Sequence, residues 1–374
     1  MASIEKRYTK RGEQRWELRY RVRGREVSRT FKTRTDAINF RRGVEHDELQ
    51  GIGYDPRAGK ITLTEWWALW WPTTVKLRES SRARDESYWR GRIEPAFGTY
   101  QLADIDRAAL GAWIVELTAE GLAPATVHKI VQILTKTLRA AVNDGRLARN
   151  PADRLDLPQL EDREMRFLTP HEVEALADAI DERYRALVVL GAYGGLRLGE
   201  MFALRAEHVD LLHGHLDVME TVATVRGRIV VNAPKTKAGK RRVPLPRIVV
   251  EALEEHIAAW PGELVFTAPE GGYVRSELWR RRFWHPAVER AGLAPLRPHD
   301  LRHTAVGMWI AAGASPNEIK SRAGHTSTVV VLDRYGHRLP GTAERVTDAL
   351  DAMAKLARDG RGMQNVVPLH RDAR

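Results

Sequence analysis

Five short polar clusters interrupt apolar sequence in the second half of this 374-residue chain. Each contains a residue type that binds phosphate, moves protons or attacks an electrophile: arginine, lysine, histidine or tyrosine. The clusters are GGLRLGEMFAL (194–204), APKTKAGKRRVPLP (233–246), RPHDLRHT (297–304), RAGHTS (322–327) and LDRYGH (332–337).

The first cluster places Arg197 between two leucines, with Glu200 three residues later. On a helix this spacing brings the two charges side by side. They could form an ordinary surface ion pair. The apolar neighbours favour partial burial instead, and a partly buried arginine oriented by a carboxylate suits bidentate binding of a phosphate.

The second cluster crowds five cations, from Lys235 to Arg242, around a turn at Gly239. A basic turn that contacts DNA and a solvated hairpin tip are equally compatible with this pattern. We include Arg241 among the candidate DNA contacts.

The third cluster has histidines four residues apart, as in a helical metal site. On a helix His299, Arg302 and His303 share one arc of about 100°, with Leu301, Ala305 and Met308 on the other side. A zinc-protease motif needs glutamate after its first histidine, where this chain has Asp300, and no third ligand is evident. We therefore predict no metal here.

The last two clusters are weak signals on their own. His325 follows a glycine at a predicted helix start, and Tyr335 lies between Arg334 and Gly336. A lone tyrosine usually packs in a core or lies on the surface, so its position alone assigns no role.

The hydrophobic pattern predicts the elements that must position these clusters. Residues 159–357 form the largest predicted domain, a mixed α+β unit. It opens with a Thr-Pro helix start in FLTPHEVEALADAI, has three strands within 215–246 (HLDVME, GRIVVNA and RRVPLP), and is helical from 276 onward. Residues 358–374 are predicted to be a disordered tail.

A compact helical domain is predicted over residues 59–158. Its four clustered tryptophans, in ITLTEWWALWW, favour core packing over base stacking. The helix predicted over 124–144 carries Lys129 and Lys136, which could touch phosphates, although ordinary solvation is the better interpretation for either one alone.

Residues 1–58 form a small predicted β-sheet followed by a helix. In WELRYRVRG the apolar residues alternate with Glu17, Arg19, Arg21 and Arg23, which places the charges on one face. That face could be solvated, but arginines on a sheet can also enter a DNA groove. The basic neighbouring segments favour the DNA interpretation. The whole chain is thus predicted as multidomain and mainly α, with small β-sheets.

Composition limits the function classes. The formal charge is +11 and the pI about 9.9, which favours a polyanionic partner, nucleic acid before acidic lipid. Without cysteine, disulfides and thiolate metal sites are excluded. No apolar run reaches the roughly 20 residues of a membrane span. From composition alone we expect a soluble intracellular protein that is not associated with a membrane.

Taken together, the clusters resemble the tyrosine recombinases, the phage integrase family. The resemblance covers roughly 165–355 and rests on six residues in the family's order: Arg197, Lys235, His299, Arg302, His325 and Tyr335. It implies a catalytic domain at 159–357 preceded by a helical, SAM-like core-binding domain. As in the lambda-type integrases, residues 1–58 would be a basic arm-binding domain.

The resemblance also implies a mechanism without metal or other cofactor. Tyr335 would attack a DNA phosphate and form a 3′-phosphotyrosyl bond, with Arg197 and Arg302 on the phosphate oxygens. His299 would accept the tyrosine proton, Lys235 would protonate the departing 5′-oxygen, and His325 would bond the phosphate. Glu200 would orient the cations of the active site, and His303 would support the site or the fold. The step from His325 to Tyr335 is ten residues, where many members have nine.

The implied partners are double-stranded attachment-site DNA and three further copies of the chain, with a DNA-bending host factor and an excision factor as additional candidates. The predicted helix 342–357 could dock on a neighbouring subunit or on its own domain. The predicted function is site-specific integration and excision of phage or mobile-element DNA. A Xer-like chromosome-dimer resolvase and a catalytically inactive DNA-binding relative are the alternatives, and an acidic-membrane partner is the weakest.

Overall fold

A computed structural model describes residues 3–9, 12–22, 25–49, 58–160, 165–234, 236–335 and 350–351. The chain divides into two compact units, Met1–Arg163 and Glu164–Arg374. In the part of the chain that is described, no helix is both long and apolar enough to cross a membrane. The fold is mainly helical with small antiparallel sheets, which confirms the predicted fold class.

The first unit begins with a three-stranded antiparallel sheet, β1 (Ser3–Tyr8), β2 (Gln14–Val22) and β3 (Arg25–Phe31), followed by helix α1 (Arg34–Leu49). Alternation along β2 buries Leu18 and Tyr20, which pack with Phe31 and Phe40. Strand β1 was not predicted. Its sequence SIEKRY is charged and almost wholly exposed, so it lacks the apolar alternation that marks a strand.

The rest of the first unit is helical. Its helices are α2 (Leu63–Trp70), α3 (Glu79–Tyr88), α4 (Glu94–Phe97), α5 (Arg107–Ala119) and α6 (Pro124–Asn143), with a π-helical turn, Trp89–Ile93, between α3 and α4. Thr62 and Glu65 cap α2 reciprocally. Trp67 stacks between Trp71 and Trp89, and the indole nitrogen of Trp66 donates to the Thr137 carbonyl. These tryptophans are core residues, as predicted.

The second unit begins with three helices and a π-helical turn. They are α7 (Pro170–Ala179), α8 (Arg185–Val189), the π-helical turn Leu190–Gly194, and α9 (Leu198–Met201). The Thr169 hydroxyl accepts from the Glu172 backbone N–H, and the Glu172 carboxylate accepts from the Thr169 backbone N–H. Helix α7 therefore starts where the Thr-Pro signal predicts.

Two small sheets follow in the second unit. β4 (Val209–Asp210), β5 (His215–Val218) and β8 (Arg241–Pro244) form one, while β6 (Thr221–Val225) and β7 (Arg228–Asn232) form a hairpin. Three of these strands lie in the predicted segments. The segment TVATV, which forms β6, was not recognised because no charged residue alternates with its apolar ones.

Six helices follow in the part of this unit that the structure describes: α10 (Arg247–Ala259), α11 (Ser276–Trp279), α12 (His285–Arg290), α13 (Pro298–Ala311), α14 (Pro316–Ala323) and α15 (Val329–Tyr335). Helix α13 packs against the π-helical turn Leu190–Gly194. Its residues from Asp300 to Val306 are all buried, so the polar arc expected from the sequence does not face solvent as a whole. This burial fixes the polar groups that α13 carries.

Candidate active site

Arg302 lies at the centre of the site, on α13, and is only 2% exposed. Its Nη1 donates to the Gly195 carbonyl at 2.7 Å, and its Nη2 donates to the Ala323 carbonyl. Burial, and then the positive charge of Arg197, lowers the pKa of Arg302 to about 9. The guanidinium is therefore still charged at neutral pH, and the effect of Arg197 places the two cations in one site.

Arg197 is the N-cap residue of α9 and directly precedes that helix. Glu200, in the first turn of α9, accepts from the Arg197 backbone at 2.9 Å and from its Nη1 at 2.8 Å. The Nη2 atom also reaches the Gly324 carbonyl at 3.5 Å. The i, i+3 pairing expected from the sequence is present, with the carboxylate buried and the guanidinium partly exposed.

Arg241 occupies a position that differs from the one expected from the sequence. Its side chain is 5% exposed and donates to both Glu200 oxygens, at 2.9 and 3.3 Å. It also donates to the carbonyls of Arg322 and Gly239. These bonds hold the guanidinium inside the protein and against Glu200, so the structure does not present Arg241 as the exposed DNA contact that the sequence suggested.

Glu200 thus holds two arginines. Its burial opposes ionisation, but the hydrogen bonds and charge of Arg241, with the charge of Arg197, outweigh that cost and lower the pKa of Glu200. The carboxylate is ionised at neutral pH and neutralises part of the positive charge of the site.

A tight turn after α14 places the backbone next to His325 in contact with Arg197 and Arg302. Helix α14 ends at Gly324, in the left-handed conformation with φ +63°, so His325 follows a helix end and not the helix start predicted from RAGHTS. His325 is buried, and its backbone N–H donates to the Lys320 carbonyl. The carbonyls of Ala323 and Gly324, just before the histidine, bond Arg302 and Arg197, which couples the turn to both cations.

Tyr335 is the last residue of α15 and is 1% exposed. Its hydroxyl lies 2.6 Å from Nδ1 of His303, and its ring meets Phe167 edge to face. The His299 ring, on the exposed end of α13, stands perpendicular to the His303 ring with centroids 4.8 Å apart. The structure therefore brings Tyr335 together with His303, which in turn contacts His299, whereas the sequence led us to expect His299 beside the tyrosine oxygen.

Several residues with predicted roles lie outside the part of the chain that the structure describes. Lys235, Arg23, the catalytic segment beyond Tyr335 and all but two residues of the predicted helix 342–357 lie outside the described residues, as does the predicted tail 358–374. The backbone of Arg21 pairs with Glu26 within the first sheet.

The remaining candidate DNA contacts are on the first unit. Arg19 lies on β2, partly exposed, with Nη2 3.5 Å from Glu17. Lys129 and Lys136 lie on α6 and line a groove of about 1040 Å³ that also includes Trp70, Lys76 and Arg139. The Lys129 ammonium donates to Gln132 at 2.7 Å. Several cations therefore line this groove, whose surface is otherwise mostly apolar.

Among the residues that the structure describes, no group of three or more histidine, cysteine, aspartate or glutamate side chains could hold a metal ion. His299 and His303 instead face each other, and His303 faces the tyrosine. The chemistry available to the site is an imidazole next to a phenol, in the electrostatic range of the Arg302 guanidinium. That arrangement suits nucleophilic attack by an oxygen on a bound phosphate.

Two family models match the sequence. One, described as the phage integrase family, matches residues 166–341. The other, described as a phage integrase N-terminal SAM-like domain, matches residues 62–118. The first range contains every predicted catalytic residue and the second lies within the helical part of the first unit.

Individual proteins resemble the chain along most of its length. The ICEBs1 integrase of Bacillus subtilis (strain 168) is 29% identical over 249 residues, which cover 63% of this chain and 67% of that protein. A structure of the Tn1549 transposon integrase in complex with circular intermediate DNA aligns with a TM-score of 0.68 at 19% identity, covering 78% of this chain and all of that one. A structure of a lambda integrase tetramer bound to a Holliday junction aligns with a TM-score of 0.57 at 18% identity, covering 86% of this chain and 92% of that one.

Proposed function

This chain is a site-specific recombinase of the phage integrase family of tyrosine recombinases, and we propose that it integrates and excises phage or mobile-element DNA through a 3′-phosphotyrosyl bond to Tyr335. The observation that carries the assignment is the convergence of Tyr335, His303 and Arg302 in one buried site, with the partly exposed Arg197 guanidinium close to Arg302. Binding alone would not need a phenol in such a site, which argues against a catalytically inactive relative.

The proposed cleavage step follows from these groups. The Tyr335 oxygen attacks the phosphorus and gives its proton to a histidine of α13, because a phenol with a pKa near 10 must lose its proton as it attacks. Arg197 and Arg302 bond the phosphate oxygens, where negative charge grows in the transition state. The DNA 5′-oxygen leaves and takes a proton from Lys235.

Rejoining reverses the same step. The phosphotyrosyl bond conserves the energy of the broken phosphodiester, so a free 5′-hydroxyl from another strand can displace Tyr335 without a nucleotide cofactor. His325, held by the turn at Gly324, donates a hydrogen bond to the phosphate. Glu200 and Arg241 keep Arg197 in place through both directions.

The proposed substrate is a pair of double-stranded attachment sites held by four copies of the chain. The lambda integrase tetramer on a Holliday junction supports this stoichiometry by analogy of fold. Exchange of strands between two duplexes requires four cleavages, one for each Tyr335. Such a substrate places the enzyme at the nucleoid in the bacterial cytoplasm. A DNA-bending host factor and an excision factor complete the proposed set of partners.

The proposal is tested with attachment-site DNA nicked next to the cleavage position, so that the short cleaved fragment diffuses away and the protein stays attached. Wild-type protein should form a covalent adduct and Tyr335→Phe should form none while still binding the DNA. An adduct with Tyr335→Phe, or none with the wild type on any attachment site, would refute the assignment.

A further inference from the structure

His303 makes the closest described contact to the proposed nucleophile. Its Nδ1 lies 2.6 Å from the Tyr335 hydroxyl oxygen, at the short end of the range for a hydrogen bond. Its side chain is 5% exposed, and the tyrosine is buried more deeply still. Both residues are held by their elements, His303 in the middle of α13 and Tyr335 at the end of α15.

His299 is placed differently, although it precedes His303 by one helical turn. It is exposed, and its ring contacts the His303 ring at nearly a right angle. From solvent inward, the order is therefore His299, His303, Tyr335. The Nδ1 atom of His303 is therefore the described imidazole nitrogen in position to accept the proton of the phenol.

We propose that His303 is the residue that holds the Tyr335 hydroxyl and takes its proton when the phenol attacks DNA. The inference rests on the proposed function. This role requires the tautomer of His303 that carries its hydrogen on Nε2, so that Nδ1 accepts from the Tyr335 hydroxyl. As the bond from the tyrosine oxygen to phosphorus forms, the bond from phosphorus to the 5′-oxygen breaks and the O–H bond transfers its proton to Nδ1.

Charge and protons balance without a further reactant. The departing 5′-oxygen takes a proton from Lys235, and the imidazolium of His303 returns its proton to the phenol when the strand is rejoined. In this scheme His299, whose ring contacts the His303 ring, is a positioning residue.

The test separates the nucleophile side from the leaving-group side. Adduct formation is timed in a single turnover with two nicked substrates, one natural and one in which sulfur replaces the bridging 5′-oxygen. A thiolate leaves without a proton because thiols ionise near pH 8.5. The variants are His303→Ala, His303→Asn, His299→Ala and Lys235→Ala. Asparagine keeps a polar atom close to the position of Nδ1 but is not a base.

His303→Ala and His303→Asn should both slow adduct formation by about 100-fold, the usual contribution of general-base catalysis, on both substrates. Lys235→Ala should be slow on the oxygen substrate and recover on the sulfur substrate. His299→Ala should lose less than His303→Ala. Each variant should bind the nicked DNA and melt close to the wild-type temperature, and His303→Asn, which is the milder change, provides the comparison if the alanine variant is unstable.

Added imidazoles supply a second readout in His303→Ala. A role in proton transfer predicts that the rescued rate rises with the basicity of imidazoles of similar size, whereas a packing role predicts rescue that ignores basicity. The inference is overturned if His303→Asn stays within about threefold of the wild type, a gap of less than 1 kcal/mol, or if His299→Ala is the slower of the two alanine variants. A wild type without adduct would instead refute the proposed function.

Discussion

At the scale of single residues, two adjacent arginines on β8 have opposite environments. Arg241 is buried against Glu200, while Arg242 is 64% exposed and pairs with Asp217 on the neighbouring strand. Removal of one member of a buried ion pair leaves an uncompensated charge, whereas an exposed pair contributes little. The two positions form a matched comparison on one strand.

Arg241→Ala should lower the free energy of unfolding by about 3 kcal/mol or more and reduce adduct formation, because Glu200 would no longer be held beside Arg197. Arg242→Ala should cost less than about 1 kcal/mol and leave cleavage unchanged. Urea unfolding of both variants, together with the nicked-substrate assay, measures the difference. Equal losses in the two variants would show that Arg241 has no special role.

Glu200 should make stability depend on pH in a defined direction. Its pKa in the folded protein lies below its ordinary value of 4.5. The unfolded chain therefore binds the proton more tightly, and the stability that Glu200 contributes is present above pH 4.5 and lost as the pH falls through the lowered pKa.

The comparison of wild type with Glu200→Gln isolates this effect from the other carboxylates. The wild type should be the more stable protein near neutral pH, and the gap should close as the pH falls. Urea midpoints measured between about pH 3 and 7 test it. A gap that keeps the same size across that range would mean that the ionised carboxylate does not stabilise the fold.

The sequence can predict that Arg241 is buried, but it cannot predict that Glu200 is its partner. Period-two alternation in RRVPL places Arg241 on the same face as the buried Val243, and Arg242 on the other. The partner could not be inferred, because Glu200 is 41 residues away and only the fold brings it close. The same holds for His303, whose contact with Tyr335 spans 32 residues.

At the scale of elements, the site depends on where helices end. The α14 C-terminus and the turn before α9 both present backbone carbonyls to Arg302, and both contain a glycine with positive φ, Gly324 and Gly195. A Cβ at Gly324 would lie 2.9 Å from the Ala238 carbonyl and 3.1 Å from Arg241. The turn is thus packed against the segment that carries the second polar cluster.

Gly324→Ala should destabilise the protein and impair cleavage, because it adds this collision to the left-handed strain of about 1–2 kcal/mol. Gly313→Ala is the control. Gly313 follows α13 with φ +85° and has open space around its Cα, so alanine there adds the strain alone. Thermal melting and adduct formation should separate the two variants, and equal activity in both would argue against a role for the turn.

Element types were more accessible to sequence reasoning than element ends. Helix α6 occupies Pro124–Asn143, as its apolar spacing predicts. The glycine of RAGHTS was interpreted as the residue before a helix, whereas it terminates α14. Glycine at either position looks alike in sequence, and only the left-handed backbone identifies a helix end.

At the scale of the whole molecule, positive charge is concentrated at the N-terminus. Residues 1–60 hold 16 of the lysines and arginines against 9 acidic residues, which is +7 of the total +11. Within the described strands, Arg7 of β1 lies opposite Arg15 of β2, and the Arg7 guanidinium forms an ion pair with Glu17 on the outer face of the sheet. A basic module of this kind favours a second DNA-binding surface apart from the cleavage site, which distinguishes an integrase from a Xer-like resolvase.

A chain that starts at residue 59 should therefore still cleave the nicked core site but should fail to integrate. Its DNA affinity should depend less on salt, with the slope of log K against log salt smaller by about 0.9 for every phosphate that the shortened chain no longer neutralises. Filter binding across a salt series and an integration assay with complete attachment sites measure both effects. Unchanged integration by the shortened chain would contradict the arm-binding role of residues 1–58.

The two carbonyl bonds to Arg302 have a consequence for energetics. A guanidinium carries five N–H donors, and these bonds use one on each terminal nitrogen, so its orientation is set before DNA arrives. Binding then spends little entropy on ordering this group, and the field that stabilises the transition state is already in place. The same field is present for the forward and the reverse reaction. The enzyme therefore speeds both equally, and the direction of recombination must come from the assembly of DNA and partners around it.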